Sequence, residues 1–215
     1  MDGKGLESLQ SRSEGVICYA PDQGGEVAFR RVENWLPRQK RVPEDKAIQI
    51  LLRGYLRAYG PARVHDFSAW LGIAMKEARR VGDSLLPELK EVPVENEKVF
   101  ILARDHEELR NDLNAPILRL LPAFDPYLLA HAEKDHRLED SHYKRVFRQA
   151  GWISPVILLD GRIVGLWSYT RSRNSFTVDI EPFTSFRGPV RAKIEHEVES
   201  LAHFLEATCA IRYGN

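Results

Sequence analysis

The dipeptide Asp160-Gly161, set between the apolar runs Pro155-Val-Ile-Leu-Leu159 and Arg162-Ile-Val-Gly-Leu-Trp-Ser-Tyr169, constrains this chain more than any other feature. A tight two-residue hairpin needs positive φ at its turn, and Asp-Gly supplies it, so the two runs are expected to be antiparallel strands. Phe176–Ile180 adds a further strand. Upstream, Leu120-Leu-Pro-Ala-Phe-Asp-Pro-Tyr127 joins an apolar strand to a proline-bounded turn, in which Asp125 is placed to cap backbone amides. Tyr143–Gln149 reads as a short helix. A long helix over residues 189–207 carries Val190, Ile194, Val198, Leu201 and Leu205 on one stripe. The expectation for residues 105–215 is therefore a small antiparallel, barrel-like or curled sheet closed by a C-terminal helix.

Residues 44–104 have a different rhythm. Ile48, Leu51, Leu52, Tyr55 and Tyr59 recur at helical steps and stop at Gly60-Pro61. A second helix over 64–71, a turn at Gly72, a third helix over 74–86 packed through Leu85 and Leu86, and strands at 89–94 and 98–102 follow. Helix, helix, turn, helix, hairpin is the winged-helix order, although any small three-helix unit gives a similar pattern. The fold class expected for the whole is α+β.

Residues 1–43 cannot bury a core alone. A helix end at 6–11 precedes strands at 16–19 and 27–30 around Pro21-Asp-Gln-Gly-Gly25, and the segment Trp35–Pro43 reads as a basic linker. A hairpin of this size needs the rest of the chain, a partner chain or a further N-terminal segment to pack on. The bulk composition mainly excludes. Lys+Arg and Asp+Glu are both 31, so any attraction to nucleic acid must come from local patches. Cys18 and Cys209 lie far apart without metal-site spacing, which fits a reducing cytoplasm. No apolar run suits a membrane span or signal peptide. No phosphate loop, dinucleotide fingerprint or Ser-His-Asp pattern is present, so no cofactor is expected.

The segments 120–127 and 155–167, with Tyr55-Leu-Arg-Ala-Tyr-Gly-Pro61 and Asp66-Phe-Ser-Ala-Trp-Leu-Gly72 upstream, resemble the C-terminal part of the winged-helix proteins that include the AlkZ/YcaQ-type DNA glycosylases. The resemblance covers most of residues 44–182. It implies a DNA partner, DNA repair, removal of alkylated bases or crosslinks, and a winged helix over 44–104; residues 1–43 would be the tail and wing of a preceding winged helix. In the family, a Gln-x-Gln or Gln-x-Asp motif carries catalysis. Gln10, Gln23, Gln39 and Gln49 are followed two residues on by Arg12, Gly25, Arg41 and Leu51, so the motif cannot be carried over. The chain is then expected to be a fragment, a shortened relative or a subunit of something larger.

Two patches could meet double-stranded DNA. Trp167, Tyr169, Arg171 and Arg173 alternate along one strand and its turn, where aromatic and guanidinium groups can stack on bases and pair with phosphates. In the plainer reading the rings are core and only the arginines are exposed. Lys76, Arg79 and Arg80 lie on the third helix, the recognition helix of a winged helix, but Glu77 and Asp83 stand among them. The acidic wing turn Glu95-Asn-Glu97 does not suit phosphate. His131-Ala-Glu-Lys-Asp-His136 has metal-ligand residue types but no third histidine at a recognised interval, and no metal is assigned. His196 and His203, seven apart, read as surface or packing residues.

Three functions remain open on sequence. The first is a DNA-binding module without base excision of its own. The second is an active glycosylase using other carboxylates, such as Asp125 or Asp135. The third is a protein-interaction or regulatory module, which neutral charge and the incomplete N-terminal hairpin allow.

Overall fold

In the computed structural model, residues 15–37, 40–94, 97–108, 116–133 and 137–214 are described. The helix end expected at 6–11 and the wing-turn residues 95–96 lie outside them. The chain divides into two compact units, residues 1–47 and 48–215.

The first unit holds an antiparallel hairpin of β1 (Ile17–Gln23) and β2 (Glu26–Arg31). Gly24 and Gly25 turn it at φ 64° and 85°, where glycine carries no Cβ penalty. Tyr19 and Phe29 face each other across the strands at 5.0 Å. Trp35, expected to open a linker, instead ends a one-turn helix, α1 (Val32–Trp35).

The second unit begins within the first of three helices. In α2 (Glu44–Tyr59) the buried row is Ile48, Leu52, Tyr55 and Leu56, and acidic Glu44 and Asp45 sit at the positive end of the helix dipole. Leu51, expected on that row, is exposed. The helix stops at Gly60, where any Cβ would collide with the Leu56 carbonyl oxygen. Helix α3 (Val64–Leu71) starts on Asp66, whose Oδ2 accepts the Arg63 amide at 2.9 Å, and ends on Gly72 at φ 73°. Helix α4 (Met75–Ser84) turns Ala78, Val81 and Gly82 inward. Leu85 closes the packing, while Leu86 is exposed. The antiparallel hairpin β3 (Leu89–Val94) and β4 (Glu97–Leu102) follows, and Ala62 bridges to Phe100.

The rest of the unit is built on a five-stranded sheet in the order β5-β6-β7-β8-β9: β5 (Leu118–Leu121), β6 (Val156–Leu159), β7 (Arg162–Ser172), β8 (Ser175–Pro182) and β9 (Thr208–Tyr213). Asp160 and Gly161 turn β6 into β7 at φ 47° and 80°, as the dipeptide required. Two expectations need correction. The sheet, open rather than barrel-like with β5 and β9 at its edges, is not wholly antiparallel, and a strand follows the long helix. Helix α7 (Gly188–Phe204) returns the chain along the sheet, so β9 runs parallel to β8. A parallel neighbour needs such a crossover, and the long connection provides it.

Alternation along the strands, interrupted in the β6–β7 pair by a register shift between Ile157 and Leu158, sends side chains to two cores. Leu118, Ile157, Trp167, Val178 and Ile180 meet Ile194 and Val198 of α7. On the other face, Val156 and Ile163 meet Leu128 from α5 (Pro126–Leu129), Val146 from α6 (Tyr143–Val146) and Ile153. Each fully buried aliphatic side chain of this kind stabilises the fold by roughly 1.5–3 kcal/mol. No helix among the described residues is long and apolar enough to cross a membrane.

Candidate nucleic-acid interface

Strand β7 outruns its neighbour β6. Pairing with β6 ends at Leu166, whereas pairing with β8 continues to Ser172 opposite Ser175. The β7–β8 hairpin therefore projects beyond β6, stiffened on its other side by β9, which pairs with β8 from Ser175 onward. Arg173 lies at the hairpin turn with φ 42°, a left-handed conformation that a non-glycine residue adopts at a cost of roughly 1–2 kcal/mol. Arg171 and Arg173 are both exposed.

Their surroundings differ from those of three ion-paired arginines nearby in the fold. Arg212 is held by Asp179 in a bidentate pair at 2.7 and 3.0 Å, Arg145 by Glu181 at 2.7 Å and Arg119 by Glu197 at 3.0 Å. No such carboxylate stands against Arg171 or Arg173 among the described residues. Guanidinium groups without internal partners on a rigid hairpin are free to bind an external anion.

The two aromatic candidates separate. Trp167 is 9% exposed, and its Nε1 donates to the Leu121 carbonyl at 2.8 Å, so its ring serves the core instead of a stacking platform. Gly165 beside it admits no side chain, since a Cβ would lie 2.8 Å from the Glu181 carbonyl oxygen. Tyr169, stacked on Trp167 at 6.1 Å, is 55% exposed and is the ring that reaches solvent. Phe204, 82% exposed, ends α7 just before Thr208 pairs with Ser175 beside the hairpin tip. The sequence reading missed it; its place one residue before Leu205, off the apolar stripe, was the available signal.

Lys76, Arg79 and Arg80 are exposed on α4, opposite the buried row of Ala78, Val81 and Gly82. Exposed Asp83 and half-buried Glu77 share that helix.

The segments with family-like sequence form a buried junction between the helices and the sheet. The Tyr55 hydroxyl donates to the Ala130 carbonyl at 2.7 Å, and burial pushes its pKa up. Asp66 is 1% exposed; it accepts the Ala132 amide at 3.0 Å and two guanidinium hydrogen bonds from Arg63 at 3.1 Å. Burial alone would raise its pKa, but these bonds outweigh it and hold the carboxyl at about 2. Arg63 also pairs with Glu97 at 3.0 Å and Glu133 at 2.8 Å. His131 lies with Nε2 3.3 Å from the Pro61 carbonyl and Nδ1 against Arg137, so both ring nitrogens are engaged within the protein. Arg137 is 3% exposed and stacks over Tyr127 at 4.4 Å.

Other candidates do not assemble. Asp125 caps α5 by accepting the Tyr127 amide at 2.9 Å. Asp135 and His136 lie outside the described residues. His196 and His203 are exposed. No cluster of three or more potential metal ligands occurs among the described residues.

The fold is mixed α/β, with exposed arginines on the β7–β8 hairpin and exposed side chains of both signs on α4. A model of the AlkZ-like DNA glycosylase family matches residues 8–204, and the chain belongs to that family. It is 36% identical over 200 residues to the interstrand DNA cross-link repair glycosylase of Streptomyces sahachiroi, an overlap of 87% of this chain and 51% of that protein. The solved structure of Streptomyces sahachiroi DNA glycosylase AlkZ superposes with a TM-score of 0.80 at 31% identity, covering 99% of this chain and 62% of that one. The chain thus spans about half the length of the curated relative it matches.

Proposed function

We propose that this chain is a DNA-binding part of a DNA repair glycosylase, with Arg171 and Arg173 on the β7–β8 hairpin as its principal contacts to duplex phosphates. The observation that carries this reading is that the projecting β7–β8 hairpin presents two exposed arginines without a carboxylate partner among the described residues, whereas Arg119 and Arg212 on the same sheet are ion-paired. Residues 44–104 act as a winged helix, with α4 as recognition helix and Lys76, Arg79 and Arg80 as a second contact face weakened by Glu77 and Asp83. Residues 105–215 carry the hairpin and Tyr169. Free Cys18 and Cys209 suit a reducing cytoplasm.

Base excision is not assigned to this chain. None of the four N-terminal glutamines heads the family's motif, and Gln149 is followed two residues on by Gly151. Asp125, the carboxylate considered in its place, is committed to its helix cap. The purified 215-residue chain is expected to retard duplex DNA in a low-salt gel, lose that binding as salt rises, and release no alkylated base. Base release by the chain alone would establish the enzyme reading instead. Absence of retardation at micromolar protein in low salt would remove the DNA-binding one.

A further inference from the structure

On the sheet face opposite α7, helix α6 and the turn after it enclose an open cavity of about 660 Å³, lined by Lys144, Phe147, Arg148, Gln149 and Trp152. That volume is in the range that binds small organic molecules, roughly 300–1,000 Å³. We propose that this cavity holds one unpaired nucleotide of a DNA strand, its base against the aromatic walls and its phosphate at Lys144 and Arg148. The proposal deepens the DNA-binding reading and rests on it for the partner.

Two ring pairs shape the site. Trp152, 49% exposed, meets the edge of Phe124 at 5.0 Å and 82°, and Phe124 is itself 43% exposed. Tyr143, 45% exposed, packs on Phe147 at 4.9 Å. Phe147 packs on the core that holds buried Val146 and Ile153, and the backbone is closed by Phe147 bridging to Ile153 and the Arg148 amide donating to the Trp152 carbonyl at 2.8 Å. Left-handed backbone gathers here as well: Phe124 and Ala150 both have φ 58°. Strain in bulky or non-glycine residues concentrates at binding sites, where the surrounding structure must hold it.

The charges point to the class of ligand. Lys144 and Arg148 have no ion-pair partner among the described residues, and no carboxylate lines the cavity. Arg145, between them in sequence, is neutralised by Glu181. Gln149 offers both a donor and an acceptor to a base edge. Rings alone would suit any apolar ligand and cations alone any anion; their combination selects a nucleotide. The nucleotide must be unpaired, because a base inside a duplex has no free face to stack.

The test compares a fully paired duplex with the same duplex carrying one bulged thymidine, at equal salt, and adds a short oligothymidylate followed by tryptophan fluorescence. The chain should bind the bulged duplex about tenfold more tightly, within the range of one base–aromatic stack. Trp152→Ala should abolish that preference while the paired duplex is retained. Lys144→Gln combined with Arg148→Gln should reduce it too, through exposed side chains that leave the core intact. Arg171→Ala with Arg173→Ala should weaken both duplexes in parallel. Equal binding of the two duplexes by the unaltered chain, or a preference that survives both cavity variants, overturns the proposal while duplex binding stands. Trp152-dependent binding of oligothymidylate without any duplex binding would support the cavity and overturn the hairpin reading. If neither DNA binds, both fall.

Discussion

At Asp66 the balance between desolvation and hydrogen bonding is decided by named partners. Its carboxyl stays ionised in the fold to about pH 2, against an ordinary value of 3.8. A carboxylate with a lowered folded pKa contributes stability that is complete above its unfolded value and disappears as pH falls through the folded one. Acidification from pH 5 towards 2 should therefore cost about 2 kcal/mol through this group. Asp66→Ala should cost about 3 kcal/mol at neutral pH, since the Ala132 amide and part of the Arg63 guanidinium lose their partner, and it should flatten the acid limb of a urea-derived stability profile. An unchanged acid limb would show that Asp66 is not the titrating group. Arg173 makes the opposite case, a residue whose local geometry is unfavourable. Arg173→Gly should leave stability unchanged or raise it by up to about 1 kcal/mol while weakening DNA binding; a substantial fall in thermal midpoint would contradict the hairpin geometry. At this scale the sequence was partly readable. Alternation put Trp167, Tyr169 and Arg171 on one face, but could not show that the face passes from beneath α7 at Trp167 to solvent at Tyr169.

Among the elements, the β6–β7 turn was legible because Asp160-Gly161 permits few alternatives, and the apolar stripe of α7 because Ile194 and Val198 repeat at helical spacing beneath the sheet. Strand β9 was not. In Thr208-Cys-Ala-Ile-Arg-Tyr213 only Ile211 and Tyr213 are even half-buried, so the segment lacks the apolar alternation that marks a strand, and its partner β8 is about thirty residues away in sequence. The alternate β9 amides that donate to β8 should nonetheless exchange slowly; rapid exchange throughout 208–213 would remove β9 from the sheet. The close approach of β7 and β8 at Gly165 gives a sharper test. Gly165→Ala forces a methyl group against the Glu181 carbonyl, where backbone instead of a flexible side chain must yield. A loss of roughly 1–3 kcal/mol in denaturant unfolding is expected, and a neutral substitution would mean that the strands lie further apart.

For the whole molecule, the segments that first suggested a family turn out to serve architecture. Tyr55, Asp66, Tyr127 and the loop after α5 meet in one buried junction, which explains why such residues can mark a fold without naming a reaction. Function was legible only through that resemblance, because equal totals of acidic and basic residues hide any DNA-binding surface. What composition could not show is which arginines have internal partners, a property of contacts distant in sequence such as Arg212 with Asp179 and Arg145 with Glu181. The most direct measurement is the dependence of duplex affinity on salt concentration for the unaltered chain and for Arg171→Ala/Arg173→Ala, with folding checked by circular dichroism. If each arginine neutralises one phosphate, the double variant binds all duplex sequences more weakly and its log–log salt slope falls by about two. An unchanged slope in a folded double variant would contradict the hairpin assignment and move the contact surface to Lys76, Arg79 and Arg80.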